Sequence, residues 1–468
     1  MARMEFTDRR VTVMGLGSFG GGLGAVQFLA DRGARVTVTD LRTVADLAEP
    51  LAQLARIPGI VFHLGGHRSA DFTDVDLVVV SPAVPQDNPF VQLAVAAGVP
   101  LSSEMNLFWE FNPAPVVAIT GSNGKSTTTA MTHSILEASG RTSWLGGNIG
   151  RSLLPRIAEI HPNHTVVLEL SSFQLDDLNR LQRSPQVAIV TNFSANHLDR
   201  HGSLKNYRLA KQTVLRWQNP QDIAILNQDD ADVASWPTQG RTLFFGCHDQ
   251  GREGLFLNAH RSAIFRYAGQ ERTLAVPEWL NLPGIHNLQN ALAASCAACV
   301  LDVTETAIAS GLKGYQALPH RLELVAEVKG RQFFNDSLAT TPESAMVALA
   351  AFERPIILFA GGYDKGSDLT AMARAIVAKP AKAVALMGQT GPGLNALLDQ
   401  FDPQQQVRRQ VCETFEATFK WAILQSQPGD ILLLSPGCAS YDWFRNFADR
   451  GTQFRDLVLD CGRLIADE

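Results

Sequence analysis

The apolar run Val116-Val117-Ala118-Ile119 leads directly into Thr120-Gly121-Ser122-Asn123-Gly124-Lys125-Ser126-Thr127, and a helical pattern follows. No other stretch constrains the fold as tightly. A strand, a glycine turn and a helix in succession form a βα unit, and such units stack into parallel sheets covered by helices. Within the turn, glycines let backbone N–H groups face phosphate oxygens. Lys125 adds a mobile cation, and the Ser126 hydroxyl can reach Mg²⁺. Position 119 is Ile where the strict GxxxxGK[ST] loop has Gly, so the loop is a variant. The strand–turn–helix context reads as an ATP site.

The same alternation runs through the whole chain and predicts an α/β protein of three domains. In the first, residues 1–112, Val11–Gly15 reads as a buried strand and Gly20–Gly33 as a helix, with further strands at Val36–Thr39 and Asp76–Pro82. Its turn Gly15-Leu16-Gly17-Ser18-Phe19-Gly20 opens a helix, and Asp40 closes the next strand. That spacing suits a carboxylate on a ribose and phosphate on a helix N-terminus. NAD is the simplest ligand for it, but any nucleotide diphosphate fits the same geometry. The second domain, 113–318, carries strands near Thr165–Leu170, Gln186–Asn192 and Asp222–Asn227. A polar, turn-rich stretch follows at Gly246–Glu278, then a helix from Asn287 to Leu301. In the third domain, 319–468, the segments RQFFND, PIILFAGG, AVALMGQ and DILLLSP read as strands.

Length and charge agree with this reading. The 468 residues are too many for one core, and a formal net charge of −6 argues against a nucleic-acid or anionic-membrane partner. The opening MARMEFTDRR mixes both charge signs without an apolar core, and no apolar run is long enough for a bilayer. A cytoplasmic protein is expected, and the six scattered cysteines fit a reducing compartment. The Cys296/Cys299 pair lies in an alanine-rich helical pattern and reads as buried packing rather than a metal site.

Glu169, His197 and Lys211 each have an ordinary reading alone: a strand-end carboxylate, a loop histidine, a surface lysine. Together they fall in a P-loop domain where ligands gather at strand ends, and a carboxylate with an imidazole can complete an Mg²⁺ shell. They sit in LELSSFQL, NHLDRH and YRLAK. With TGSNGKST, GGNIG, HNLQNALAA, LPHRLE, NDS, GGYDKGSD and SPGCASYDWFRNF, these resemble, in order and over essentially the whole chain, the Mur ligases. The glutamate-adding type is the most similar; folylpolyglutamate synthases share only the central motifs.

The resemblance implies a Rossmann-like N-terminal domain for a UDP-sugar, a central P-loop ATPase and a mobile Rossmann-like C-terminal domain. It implies that Gly15, Gly17, Ser18, Asp40, Arg42, Ser81 and Asn148 meet the UDP-substrate; the usual SPG turn has Ala83 for its glycine. Gly121, Ser122, Asn123, Gly124, Lys125, Ser126, Thr127, Asn290, Arg321 and Asp336 would hold ATP. Ser126, Glu169, His197 and Lys211 would hold Mg²⁺, with Lys211 as a carbamate. Lys125, His197 and Lys211 would be catalytic, and Lys365, Ser440 and Phe447 would surround glutamate. The implied reaction joins glutamate to UDP-N-acetylmuramoyl-L-alanine through an acyl phosphate, in a monomer. A dehydrogenase would leave the ATP motif unused. A motor ATPase would need no acyl-acceptor domain, and a silent regulator would be expected to have lost Lys125, Glu169, His197 or Lys211.

One departure bears on the amino acid. The usual NDSKATN reads here Asn335-Asp336-Ser337-Leu338-Ala339-Thr340-Thr341. Loss of a cation beside a substrate with two carboxylates predicts that one carboxylate is redirected. The expected isomer is therefore L-glutamate, with a separate epimerase as partner; D-glutamate is the alternative.

Overall fold

The computed structural model describes residues 5–17, 20–379 and 381–464. The chain forms two compact units, Met1–Leu280 with Gln289–Gly314, and Asn281–Leu288 with Tyr315–Glu468. The first holds two sheets and the second holds one.

The N-terminal sheet runs Val61–Leu64, Arg35–Asp40, Arg10–Met14, Leu77–Val80, Leu101–Ser102, all parallel. Strand order reverses between Arg10–Met14 and Leu77–Val80, which opens a crevice at their carboxyl ends. The turn after the first strand enters the helix Gly21–Ala30 there. Phe28 of this helix packs on Phe6 and Phe111 with ring centroids 5.8 and 5.1 Å away, in a core continuous with that of the next sheet.

The central sheet has nine strands. From Arg241–Gly246 it continues in parallel through Ile223–Asn227, Val187–Val190, Val116–Thr120, Thr165–Glu169 and Ser143–Gly147. Val116–Thr120 is buried along its whole length, as expected of a strand with helices on both faces. The glycine turn lies at its carboxyl end, where the order again reverses, and delivers the chain into the helix Lys125–Ala138. At the other edge Gly254–Leu257 pairs antiparallel with Ala263–Tyr267, which pairs with Gln270–Leu274. The stretch read as polar and turn-rich is thus an antiparallel extension of the sheet.

In the second unit the order is Glu323–Val328, Arg331–Asn335, Ile431–Leu434, Ile356–Gly361, Ala383–Met387, Arg408–Val411; the first pair is antiparallel and the rest parallel. Ile431–Leu434, last in sequence, is inserted between Arg331–Asn335 and Ile356–Gly361, so three loops converge at the carboxyl ends of these neighbours. Cys296 and Cys299 are buried in the helix Ile285–Val300, and all six cysteines are free thiols. Among the described residues no helix is long and apolar enough to cross a membrane.

Candidate active site

The phosphate loop is built by its neighbours. Gly124 has φ 78°, a left-handed conformation natural to glycine, and a Cβ there would collide with Asn290 Oδ1. Asn290 Oδ1 also accepts from Thr128 Oγ1 at 3.2 Å, which fixes the amide beside the loop. The strand Val187–Val190 is followed by Thr191 and Asn192, which hold the loop tip. Asn123 N–H donates to Asn192 Oδ1 at 2.8 Å, and Thr191 Oγ1 donates to Asn123 O at 2.6 Å. Lys125 Nζ folds back on Ser122 O at 2.9 Å, and Thr127 is buried behind Ser126 at the start of the helix.

Beneath the loop lies Lys211, buried to 2% exposure, with Nζ donating to Gly121 O at 2.7 Å. Its helix, Leu204–Arg216, is capped by Ser203 Oγ, and Tyr207 lies one turn before Lys211 on the same buried face. The ammonium stands 4.8 Å from the Tyr207 ring centroid, and Tyr207 Oη is 3.3 Å from Ser122 Oγ. Burial pushes the Lys211 amine well below the usual lysine range. The charge of Lys125 pushes it further, and Glu169 partly opposes both.

Glu169 ends its strand with one oxygen committed: Asn148 Nδ2 donates to Oε1 at 2.9 Å. Its Oε2 is buried without a hydrogen-bond partner. A buried carboxylate oxygen left open is costly unless a cation completes it. No cluster of three His, Cys, Asp or Glu residues occurs among the described residues. Mg²⁺ is commonly held by one or two carboxylates, with substrate phosphates and water filling the rest. The open Glu169 oxygen below a phosphate loop carrying Ser126 fits that pattern. His197 is exposed at φ 51°, its ring 5.1 Å from Phe173 and 6.2 Å from Tyr207.

At the N-terminal crevice Asp40 is already engaged. It accepts from Leu16 N–H at 3.0 Å and from Arg42 Nη2 at 2.9 Å. Burial opposes its ionisation, but the Arg42 and Leu16 hydrogen bonds outweigh that and hold the carboxyl below the usual range. Asp40 therefore braces the turn and aims Arg42, which goes beyond the ribose contact its spacing suggests. Ser81 closes the crevice: a Cβ on Gly15 would lie 3.2 Å from Ser81 Cβ, and one on Gly17 4.0 Å from Ser81 Oγ. Ser18 lies outside the described residues.

In the second unit Asp336 accepts from Ser435 Oγ at 2.8 Å and from Leu322 N–H at 3.1 Å. Burial raises its pKa to about 7 against the pull of these donors and of Arg321 and Arg450. Arg450, fully buried, donates to Ser337 Oγ at 2.9 Å and to Ala439 O at 3.1 Å. Ser337 Oγ donates in turn to Phe447 O at 2.7 Å. One guanidinium thus ties the Asp336 loop to the Ser440 loop and the start of the helix Phe447–Leu464. Lys365 is exposed, with Nζ 5.3 Å from the Tyr441 ring centroid.

The first unit therefore brings together the loop, Lys125, Glu169, Lys211, Asn148 and Asn290; the second brings together Asp336, Ser440 and Phe447. Sequence reasoning passed over Tyr207, Thr191, Asn192 and Arg450. The four-residue spacing from Tyr207 to Lys211 on one helix face was a usable signal. Nothing local marks Arg450, whose partners lie up to 113 residues away.

The glycine loop after Val116–Thr120 and the further α/β sheets of the chain fit an ATP-dependent ligase. Three family models match: Mur ligase MurD-like N-terminal domain over 9–103, Mur ligase middle domain over 119–298, and Mur ligase glutamate ligase domain over 320–438. The chain belongs to the Mur ligase family. It is 37% identical over 466 residues to a UDP-N-acetylmuramoylalanine–D-glutamate ligase of Pelotomaculum thermopropionicum, covering 97% of this chain and 98% of the relative. A ligase of the same name from a Roseiflexus species is 37% identical over 471 residues, covering 97% and 99%. Among solved structures, the UDP-N-acetylmuramate–alanine ligase MurC of Thermotoga maritima superposes with a TM-score of 0.62 at 20% identity, covering 96% of this chain and 99% of that one. The MurF ligase of Thermotoga maritima in complex with ADP gives 0.58 at 17%, covering 97% and 95%. These structural likenesses concern the fold.

The relatives do not support the L-glutamate expectation drawn from Leu338, since their names carry the D isomer. Leu338 is half-buried, its N–H bonded to His320 O at 3.0 Å, and the exposed cation Lys365 remains in the same unit. One missing charge among several groups does not determine which isomer is bound.

The raised Asp336 pKa has a consequence for stability. The unfolded chain loses this proton near the ordinary value of 3.8, while the folded unit keeps it until about 7. The contribution of Asp336 is therefore full below pH 3.8, falls as pH rises, and levels off above about pH 7. Asp336→Asn removes that slope. Its melting temperature relative to the unsubstituted protein should climb from pH 4 to pH 7 and then flatten, which a calorimetric series will show.

Proposed function

We propose that this chain joins D-glutamate to UDP-N-acetylmuramoyl-L-alanine, using ATP, in peptidoglycan synthesis. The observation that carries this reading is full-length similarity at 37% identity to ligases of that name, in a chain that keeps the buried lysine and open carboxylate beneath its phosphate loop. The D isomer removes any need for an epimerase. The proposed setting is the cytoplasm, the working form a monomer, and the domains 1–112, 113–318 and 319–468.

The residue roles proposed are those that the family resemblance implies. Gly15, Gly17, Ser18, Asp40, Arg42, Ser81 and Asn148 receive the UDP-substrate. The N–H groups of the glycine loop, with Lys125, Ser126 and Thr127, hold the ATP phosphates; Asn290, Arg321 and Asp336 hold the rest of the nucleotide. Ser126, Glu169, His197 and Lys211 are the candidate Mg²⁺ ligands, and the ion supplies charge neutralisation at the transferring phosphoryl group. The alanine carboxylate attacks the γ-phosphorus, ADP leaves, and Lys125 stabilises the spreading negative charge. The glutamate amine, positioned by Lys365, Ser440 and Phe447, then attacks the acyl-phosphate carbon. Phosphate leaves and the amine gives up a proton.

The depressed Lys211 pKa favours a free amine, the form that adds CO₂ to give a carbamate and release one proton. That addition turns a neutral amine beside Lys125 into an oxygen anion. Lys211→Ala is expected to be inactive and partly restored by added short carboxylates; full activity without them would remove Lys211 from the chemistry. For the isomer, D- and L-glutamate are supplied together at equal concentration and the product is hydrolysed and resolved. Predominant D-glutamate is expected. Predominant L-glutamate would overturn the isomer and leave the ligase reading intact.

A further inference from the structure

The turn after Leu77–Val80 and the short helix Leu198–His201 belong to different domains of the first unit, and one side chain ties them. Arg200 Nη2 donates to Pro82 O at 3.1 Å and to Val84 O at 2.6 Å, and Nη1 donates to Ala83 O at 3.3 Å. Three consecutive carbonyls thus converge on one guanidinium, a geometry its planar fork suits and a lysine ammonium does not. This turn begins at Ser81, which closes the crevice against Gly15.

The other end of the tie reaches His197. Arg200 lies within the single helical turn that His197 begins as its N-cap, and Arg200 N–H donates to His197 O at 3.1 Å. Arg200 Cζ lies 5.2 Å from the Phe173 ring centroid, and that ring meets His197 edge-on at 5.1 Å. His197 holds φ 51°, a left-handed backbone that a non-glycine residue keeps only where its surroundings impose it. Below this contact lies a cavity of about 460 Å³, lined by Pro85, Gln86 and Asp87 on one side and Arg200, His201 and Arg216 on the other. The cleft is open, and residues that follow the turn line it together with residues of the helix.

We propose that Arg200 is a positioning residue that couples occupancy of the UDP-substrate crevice to the placement of His197 beside the nucleotide phosphates. The inference rests on the crevice and loop assignments made above. A substrate that orders the Ser81–Val84 turn presents fixed carbonyls to Arg200, which fixes the helix and with it His197. By linkage, the nucleotide must improve substrate binding by the same factor.

The test uses the full chain with Arg200→Ala and Arg200→Lys, and titration calorimetry of UDP-N-acetylmuramoyl-L-alanine with and without Mg²⁺ and a non-hydrolysable ATP analogue. The unsubstituted protein is expected to show coupling of about fivefold or more, the usual scale for linked sites. Both variants should drop below about twofold while still binding each ligand alone. Arg200→Lys keeps the charge and guards against a folding defect in Arg200→Ala. Undiminished coupling in Arg200→Lys would overturn the inference alone, as would absence of coupling in the unsubstituted protein. If that protein failed to bind the UDP-substrate at all, the functional reading would fall first.

Discussion

The Lys211 amine, held 2.7 Å from Gly121 O under the phosphate loop, sets the terms for everything around it. An ammonium removed from water and facing a second lysine is costly, and the usual resolution is loss of the proton. Glu169 beside it keeps one oxygen without a partner. A centre with a reluctant cation and an open anion is poorly satisfied by itself. It is well suited to phosphates and a divalent ion, which would use both. The surrounding residues serve this arrangement. Tyr207 walls the amine, Asn148 orients the carboxylate, and Thr191 and Asn192 fix the loop that closes over it.

All three sheets apply one topological device. Each reverses strand order at the place where its candidate site residues gather. The Gly15 turn and Ser81 flank the first reversal. The loop of Lys125 lies at the second. The loops after Arg331–Asn335, Ile356–Gly361 and Ile431–Leu434 converge at the third, around an inserted last strand. A crevice at a reversal costs no burial of the core, because helices cover both sheet faces elsewhere.

The phosphate loop was legible because strand, turn and helix are contiguous and the chemistry of each position is local. Glu169, His197 and Lys211 were singled out by family likeness, with strand-end placement as support; of the three, the structure brings buried Glu169 and Lys211 together and leaves His197 exposed. The antiparallel edge at Gly254–Leu274 was not. Its hairpin turns through Ala268 at φ 51° and Gly269 at φ 77°, and an Ala-Gly pair lacks the Asn-Gly or Asp-Gly signature of such turns. Arg450 and Arg200 were invisible for another reason. Arg200 gathers carbonyls 116 to 118 residues away, Arg450 gathers one 113 residues away and two 11 and 12 away, and no sequence pattern announces a backbone oxygen. Leu338 invited a conclusion about stereochemistry from one position, where several groups act together.

The account stands on coupling of ATP cleavage to amide formation, and phosphate release measures it directly. With Mg²⁺ and ATP, the purified chain should release phosphate at a sustained rate only when UDP-N-acetylmuramoyl-L-alanine and glutamate are both present, in equal amount to the amide formed. Sustained release with either one omitted, or release without amide, would contradict it.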